Sequence, residues 1–190
     1  MMNTASEFSE KTVLITAGSK GIGFGCAKGF MEEGAKVAIC ARGREGLDAA
    51  EAKLAGIDPE RIFTMRGDIS ELEFLEAFVA GTMARFGGGV DILVNNNGGP
   101  PAGATDELAD EAWLAAINGN LLSTIRATTL VLPGMKEKEW GRIINLTSAT
   151  AREPAAGMAL SNVTRAGVAA YSKTISHEVG PHGITVNTVL

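Results

Sequence analysis

Short apolar, β-branched runs alternate with longer helical patterns along the chain, and this alternation restricts the fold more than any other feature. The apolar runs are nearly continuous, as in strands that are buried on both faces of a parallel sheet. The predicted strands cover residues 12–16, 36–41, 61–66, 90–95, 142–147 and 184–190. The predicted helices cover residues 21–33, 45–54, 70–86, 111–132 and 160–179. We therefore expect an α/β fold, in which helices cover both faces of a parallel sheet.

A glycine-rich turn from Thr16 to Gly23 joins the first predicted strand to the first predicted helix. Such glycines let the backbone approach a pyrophosphate, and the helix N-terminus adds amide donors and the positive end of a dipole. A tight turn without a ligand is the less favoured alternative, because a strand followed by a helix is the context that dinucleotide binding requires. We predict a Rossmann-type doubly wound sheet, as one dinucleotide-binding domain over residues 1–190. The residues expected at the pyrophosphate are Gly18, Ser19, Lys20, Gly21, Ile22 and Gly23.

The end of the second predicted strand indicates which dinucleotide binds. An acid there would accept hydrogen bonds from the ribose 2′-hydroxyl of NAD, but this chain has Ala41 followed by Arg42. Lys20 would lie close to Arg42 in this fold, and two cations suit the 2′-phosphate of NADP. A pair of solvated surface cations is the alternative. We therefore predict NADP(H) as the cofactor.

Composition and charge argue against several classes of function. The chain of 190 residues has a formal net charge of −5 and no run of Lys or Arg, so neither nucleic acid nor a membrane is an expected partner. No apolar run approaches the roughly 20 residues that span a bilayer, and the first residues lack a signal-peptide pattern. Cys26 and Cys40 have no metal-ligand spacing, so no metal site is expected and a reducing, cytoplasmic setting is the simplest.

These segments, in this order, resemble the short-chain dehydrogenase/reductase family, and in particular 3-oxoacyl-carrier-protein reductases, over residues 11–190. The glycine-rich turn resembles the cofactor turn of that family, although Ala17 stands where a glycine is usual. Alanine fits there if its φ is negative, so this departure weakens the match only mildly. The further cofactor contacts that the resemblance implies are Asp68 and Ile69 at the adenine ring, and Asn96, Asn97 and Gly98 in a turn where Asn97 replaces an alanine.

The same resemblance implies a catalytic tetrad in which two of the four members are replaced. Asn120 matches the catalytic asparagine of the family, and Ser148 matches its catalytic serine. Where the family has a Tyr-x-x-x-Lys pair, this chain has Ser161 and Arg165. An aliphatic hydroxyl is a far weaker acid than a phenol, and arginine is always charged and cannot shuttle protons. Arg165 can still hold ribose hydroxyls or stabilise an oxyanion.

Other side chains are less suitable as proton donors. Tyr171 and His177 follow Ser161 on the same predicted helix but project from other parts of its surface, so roles in helix packing or subunit contact are expected. Glu153, in the loop after Ser148, is better placed to approach a substrate, although a solvated loop acid is the simpler interpretation. A water molecule or a substrate group, relayed by the two serines, is the remaining alternative.

Two functions follow from these observations. The first is an NADP(H)-dependent oxidoreductase that acts on a small-molecule carbonyl or secondary alcohol through an atypical active site. The second is a dinucleotide-binding pseudoenzyme, either a redox sensor or a structural subunit. The lost proton donor favours the second, whereas the retention of Asn120 and Ser148 favours the first, which we prefer.

The resemblance also implies two features beyond the site. Relative to the family, the chain is expected to lack the usual last helix and seventh strand. Similar proteins pair through their long helices, which here span about 111–132 and 160–179, so a homodimer or homotetramer is expected.

Overall fold

Six strands form one parallel sheet in the computed structural model, which describes residues 6–190. The strands are β1 (Thr12–Ile15), β2 (Lys36–Ala41), β3 (Ile62–Arg66), β4 (Ile92–Asn95), β5 (Gly141–Leu146) and β6 (Ile184–Val189). Their order in the sheet is β3-β2-β1-β4-β5-β6, and every neighbouring pair is parallel. This is the strand order of the doubly wound Rossmann fold, so the predicted fold class is confirmed.

Helices connect the strands and cover both faces of the sheet. The α-helices of the described residues are α1 (Gly21–Glu32), α2 (Arg44–Ala55), α3 (Leu72–Phe86), α4 (Asp110–Ala116), α5 (Ser123–Glu137) and α6 (Ala159–Val179). A π-helical segment, Ile117–Leu122, joins α4 to α5. Short 3-10 turns lie at Pro59–Arg61, Thr105–Glu107, Ala149–Ala151 and Gly180–His182. Within residues 6–190, no helix is both long enough and apolar enough to cross a bilayer.

The side chains of the central strands alternate between two hydrophobic clusters, one on each face of the sheet. Along β1, Val13 and Ile15 pack with residues of α1 and α2, whereas Leu14 packs with residues of α3, α5 and α6. All three side chains are fully buried. Because consecutive residues of a strand point to opposite faces, burial on both faces requires the continuous apolar runs seen in the sequence.

A chain of buried polar side chains ties the carboxyl ends of β4 and β5 to α5 and α6. Asn95 Nδ2 donates to Asn145 Oδ1 at 2.8 Å and to Thr128 Oγ1 at 3.2 Å. Asn145 Nδ2 donates to Ser172 Oγ at 2.7 Å, and Ser172 Oγ donates to the Val168 carbonyl at 2.6 Å. We call these four polar side chains the amide network. Because a buried polar group is costly unless it is paired, the network fixes how these two strands and two helices meet.

One predicted helix has a different form in the structure. The helix expected over residues 111–132 consists of α4, the π-helical segment and α5, and α5 continues past Pro133 to Glu137. A proline inside a helix removes one backbone hydrogen bond. Met135, in the turn that follows, is fully buried in the core, and its burial offsets that loss.

The turn between β1 and α1 has an unusual backbone conformation at Ala17. Ala17 has a φ of +49°, in the left-handed region that favours glycine, so the condition of a negative φ, under which alanine would fit the turn, is not met. Two hydrogen bonds hold the turn in this shape. The Gly18 N–H donates to the Cys40 carbonyl at 2.9 Å, and Asn96 Nδ2 donates to the Ala17 carbonyl at 3.0 Å. These contacts offset a backbone strain on the order of 1–2 kcal/mol at Ala17.

Replacing Asn145 tests the amide network. Asn145→Ala should lower the free energy of unfolding by about 3 kcal/mol, because it removes two buried hydrogen bonds and leaves their partners unsatisfied. Urea denaturation measures this loss. The control is Asn187→Ala, an exposed asparagine on the neighbouring strand β6, which should change stability by less than about 0.5 kcal/mol. Similar losses in both variants would contradict the role of the network.

Replacing Ala17 tests the strain in the turn. Ala17→Gly should stabilise the protein by up to about 1 kcal/mol, because the relief of left-handed strain exceeds the added entropy of a glycine in the unfolded chain. The same denaturation experiment applies. Ala52→Gly, at an exposed position inside α2, should destabilise by about 1 kcal/mol and so have the opposite sign. A destabilising Ala17→Gly would show that the turn is not strained.

Candidate active site

A cleft of about 610 Å³ lies at the carboxyl edge of the sheet. Residues that follow β1, β2, β3 and β4 line it, together with residues of α4 and the π-helical segment. The connections leaving β1 and β4 turn to opposite faces of the sheet, and ligands of doubly wound folds bind in the crevice at such a switch point. The residues expected at the cofactor that line the cleft are Ser19, Lys20, Arg42, Asp68, Ile69, Asn97 and Gly98.

The glycines of the turn allow close packing and an unusual backbone conformation. A Cβ on Gly23 would lie 2.6 Å from Asn96 Nδ2, and a Cβ on Gly18 would lie 2.6 Å from Ile39 Cγ2. Gly21 has a φ of +56° and no atom near its Cβ position. Gly18 and Gly23 therefore let the turn pack onto the strands, whereas Gly21 provides the backbone conformation at the start of α1.

The N-terminus of α1 is open to a ligand. Lys20 is its N-cap, and among residues 6–190 no side chain caps the first amides of the helix. The first N–H groups of a helix have no partner within the helix and carry the positive end of its dipole. Ile22, in this first turn, is 68% exposed, which is unusual for an isoleucine. The turn therefore fits a pyrophosphate.

Asn96 supports the turn from behind and does not line the cleft. Thr16 Oγ1 donates to the Asn96 carbonyl at 2.7 Å and accepts from the Asn96 N–H at 2.8 Å. Asn96 Nδ2 donates to the Ala17 carbonyl. The contacts that the structure gives Asn96 are therefore with the phosphate-binding turn, and they join the end of β1 to the end of β4.

Two arginines and one acid surround the position at the end of β2. Arg42 is 81% exposed, and its Nη1 lies 3.7 Å from Asp68 Oδ2. The other oxygen of Asp68 accepts from the Ser70 N–H at 3.0 Å. Arg66 Nε donates to the Arg42 carbonyl at 3.0 Å, so Arg66 supports the backbone that presents Arg42. Arg66 was not expected at the site, although its place at the carboxyl end of the third strand is a signal for it in the sequence.

Asn97 holds the π-helical segment that carries Asn120. Asn97 Nδ2 donates to the carbonyls of Gly119 and Asn120, each at 3.3 Å, while its Oδ1 is buried without a hydrogen-bond partner among the described residues. Thr124 Oγ1 also donates to the Asn120 carbonyl, at 3.0 Å. Single π-helical turns inside helices often occur at functional sites. This one puts Asn120, which is almost fully buried, in the wall of the cleft.

Ser148, Ser161 and Arg165 are not among the residues that line the cleft, and of the expected tetrad only Asn120 lines it. Ser148 follows β5, and its Oγ accepts from the N–H and the hydroxyl of Thr150 at 3.3 and 3.2 Å. Ser161 and Arg165 are buried on α6, one turn apart. The α6 helix packs against both the 3-10 turn after Ser148 and the π-helical segment. The four residues of the expected tetrad are thus on elements that contact one another.

The other ionisable groups considered from the sequence lie elsewhere. Tyr171 packs against the core cluster that includes α5, and burial raises the pKa of its hydroxyl. His177 and Glu153 are exposed. Burial also raises the pKa of the Cys40 thiol to about 12, which makes it unreactive. The described residues contain no group of three or more His, Cys, Asp or Glu that could hold a metal ion.

Comparisons with known proteins agree with this arrangement. The family model for short chain dehydrogenases matches residues 11–190. The chain is 36% identical over 179 residues to 3-oxoacyl-acyl-carrier-protein reductase FabG of Vibrio cholerae serotype O1, and the match covers 94% of this chain and 71% of that protein.

Two solved structures are also similar to this chain. A variant of actinorhodin polyketide ketoreductase with NADPH has a TM-score of 0.90 at 36% identity, over 94% of this chain and 69% of that one. L-sorbose reductase from Gluconobacter frateurii, complexed with NADPH and L-sorbose, has a TM-score of 0.91 at 33% identity, over 97% and 70%. The chain therefore belongs to the short-chain dehydrogenase family of oxidoreductases.

Proposed function

We propose that this protein is an NADP(H)-dependent oxidoreductase that interconverts a small-molecule carbonyl and the corresponding secondary alcohol. The observation that carries the proposal is the continuity of one cleft, which extends from the phosphate-binding turn at Ser19 and Lys20 to Asn120. One cavity can therefore hold the phosphate end of a dinucleotide near α1 and its reactive end near Asn120. The two structural relatives described above are NADPH complexes of a ketoreductase and a sugar reductase, which supports the same assignment.

Lys20 and Arg42 select the phosphorylated dinucleotide in this proposal. Both line the cleft beside the end of β2, where neither is buried. Exposure leaves their side chains free to reorient towards a 2′-phosphate, and arginine can bind a phosphate through two parallel hydrogen bonds. Asp68 Oδ2 lies 3.7 Å from Arg42 Nη1, a weak contact at this exposure that does not hold the guanidinium in place. The adenine ring would lie against Ile69, which also lines the cleft.

The reduction converts a carbonyl compound, NADPH and a proton into an alcohol and NADP⁺. The bound cofactor supplies the hydride. Ser148 accepts two hydrogen bonds from Thr150, which leaves its own O–H free to donate a hydrogen bond to the substrate oxygen. Asn120 is positioned in the cleft wall to hold a water molecule or the same oxygen. Ser161 cannot act as a phenol would, so in this proposal a proton from bulk solvent reaches the substrate oxygen through a water molecule that these hydroxyls order, and the water is left neutral.

A pseudoenzyme is the second candidate, and the residues on α6 favour it. Arg165 stands where the resemblance implies a lysine, and a guanidinium keeps its protons. The same cleft would then bind the dinucleotide without turnover, as a redox sensor or a structural subunit. Both candidates require cofactor binding, and only the first requires Ser148 to affect a rate.

We also propose that the protein forms a homodimer or homotetramer and works in the cytoplasm. Exposed apolar side chains on α4 and α6, Leu114 and Val163, offer helix surfaces for self-association. The two free cysteines, Cys26 and Cys40, are compatible with the proposed cytoplasmic setting.

Replacing Arg42 tests the choice of cofactor. Arg42→Ala should weaken NADPH binding by about 10- to 100-fold, because a charge-assisted hydrogen bond is worth roughly 1.5–3 kcal/mol, and should change NADH binding by less than about threefold. Titration of cofactor fluorescence measures both affinities. Arg44→Ala is the control, since Arg44 pairs with Asp48 at 3.6 Å and does not line the cleft. Equal losses for NADPH and NADH would contradict the 2′-phosphate contact.

Replacing Ser148 separates the enzyme from the pseudoenzyme. Purified protein should oxidise NADPH with a member of a panel of β-ketoesters, quinones and small ketones, and Ser148→Ala should lower that rate by about 100-fold through loss of one donor to the reacting oxygen. Ser176→Ala, at the far end of α6, should leave the rate unchanged. An unchanged rate in Ser148→Ala would show that the site is wrongly assigned. NADPH binding without turnover of any compound would favour the pseudoenzyme.

A further inference from the structure

Two charged side chains are buried between residues 6 and 190, and they differ in how their charge is balanced. Asp91, 8% exposed, accepts from Lys138 Nζ at 2.7 Å and from the Thr12 N–H at 2.8 Å. Arg165, 9% exposed, has no carboxylate within 4.0 Å among the described residues. A buried charge without a counter-charge costs several kcal/mol, so Arg165 is a site where a bound anion would be strongly stabilising.

Arg165 makes one hydrogen bond within the described part of the chain, which leaves most of its donors without a partner there. Its Nη1 donates to the Leu146 carbonyl at 3.3 Å, which is a long bond. A guanidinium has five N–H donors, and this one contact uses a single donor. Burial lowers the pKa of Arg165, yet the group is still a cation at neutral pH. The guanidinium is therefore charged, largely out of water and incompletely paired.

Arg165 does not itself line the cleft, but its guanidinium lies next to Gly99, which does. A Cβ on Gly99 would lie 3.9 Å from Arg165 Nη2, and Gly99 lines the cleft with Asn97 and Asn120. The contact with Leu146 fixes the other side of the guanidinium at the end of β5, two residues before Ser148. A ligand in the part of the cleft that Gly99 lines would therefore lie within reach of Arg165 and of the groups proposed to hold the carbonyl oxygen.

A cofactor alone does not supply the missing anion at this position. Its pyrophosphate would bind at the N-terminus of α1, on the far side of the switch point, and the ribose hydroxyls near the reactive end are neutral. We propose that Arg165 binds the carboxylate of a small oxo acid, which is the substrate class of the site. This inference rests on the proposed function, since it uses the same cleft and the same reaction.

The proposed contact leaves the chemistry of the carbonyl unchanged. An oxo acid, NADPH and a proton become a hydroxy acid and NADP⁺, and the carboxylate forms and breaks no covalent bond. Arginine and carboxylate can form two parallel hydrogen bonds, which would fix the direction of the substrate as well as its position. With the carboxylate held at Arg165, the neighbouring ketone would point towards Ser148 and Asn120.

A matched pair of ligands tests the proposal without any turnover. Acetoacetate and methyl acetoacetate have the same ketone and differ in the charge of one end, and neither reacts with NADP⁺, because ketone and cofactor are then both oxidised. Titration calorimetry of each compound into the protein saturated with NADP⁺ should give at least tenfold tighter binding of the acid. Equal affinities for the acid and the ester would overturn the carboxylate site.

Variants assign the preference to Arg165. Arg165→Met should abolish the preference for acetoacetate and leave methyl acetoacetate binding within about threefold, while Arg165→Lys should retain part of it. Arg142→Met is the matched control, because Arg142 also donates to backbone carbonyls but lies at the other end of β5. Weakened NADP⁺ binding by Arg165→Met with an unchanged acid-to-ester ratio would assign Arg165 to the cofactor and overturn the proposal. Wild-type protein that does not bind NADP⁺ would instead overturn the proposed function itself.

Discussion

The amide network beneath the cleft is the interaction on which the candidate site depends. Asn95 and Asn145 lie near the carboxyl ends of adjacent strands, and their side chains hydrogen-bond to each other and to hydroxyls on α5 and α6. In a low-dielectric interior these bonds are strong and leave little freedom, since each unpaired partner would be costly. The π-helical segment before α5 and the buried face of α6 are consequently held in register with β4 and β5. The elements that carry Asn120, Ser161 and Arg165 share this one constraint.

Positive groups collect along the carboxyl edge of the sheet, although the chain has a net charge of −5. They are the uncapped N-terminus of α1, Lys20, Arg42, Arg66 and the buried guanidinium of Arg165. The N-terminus of α1 belongs to a backbone turn, and the side chains of Lys20 and Arg42 are exposed. Arg66 donates to the Arg42 carbonyl, and Arg165 donates a long hydrogen bond to β5. An anionic ligand that spans the cleft would therefore lie near positive groups along its length. The acidic groups on the rest of the surface would repel such a ligand.

Features that follow from local patterns could be predicted from the sequence, and features set by long-range contacts could not. The six strands and the phosphate-binding turn follow from apolar runs and glycine spacing, which require no knowledge of neighbours. The left-handed conformation of Ala17 depends on hydrogen bonds to Cys40 and Asn96, which are distant in sequence. The continuation of α5 past Pro133 depends on the buried side chain of Met135 in the same way. Ala17 and Pro133 are locally unfavourable residues that tertiary contacts stabilise.

The substitution of Ser161 and Arg165 separates two tasks that a tyrosine and a lysine would share. A phenol beside an ammonium group transfers a proton and also orders the cofactor, whereas a hydroxyl beside a guanidinium can order ligands but transfers protons poorly. Loss of general acid catalysis costs typically 10²–10⁴-fold in rate. Correct placement of the reacting groups can contribute more than that, so a site that positions its substrate well can tolerate a weak acid. Arg165 has unused capacity to position a substrate in this cleft, because it is buried and charged and has no carboxylate partner among residues 6–190.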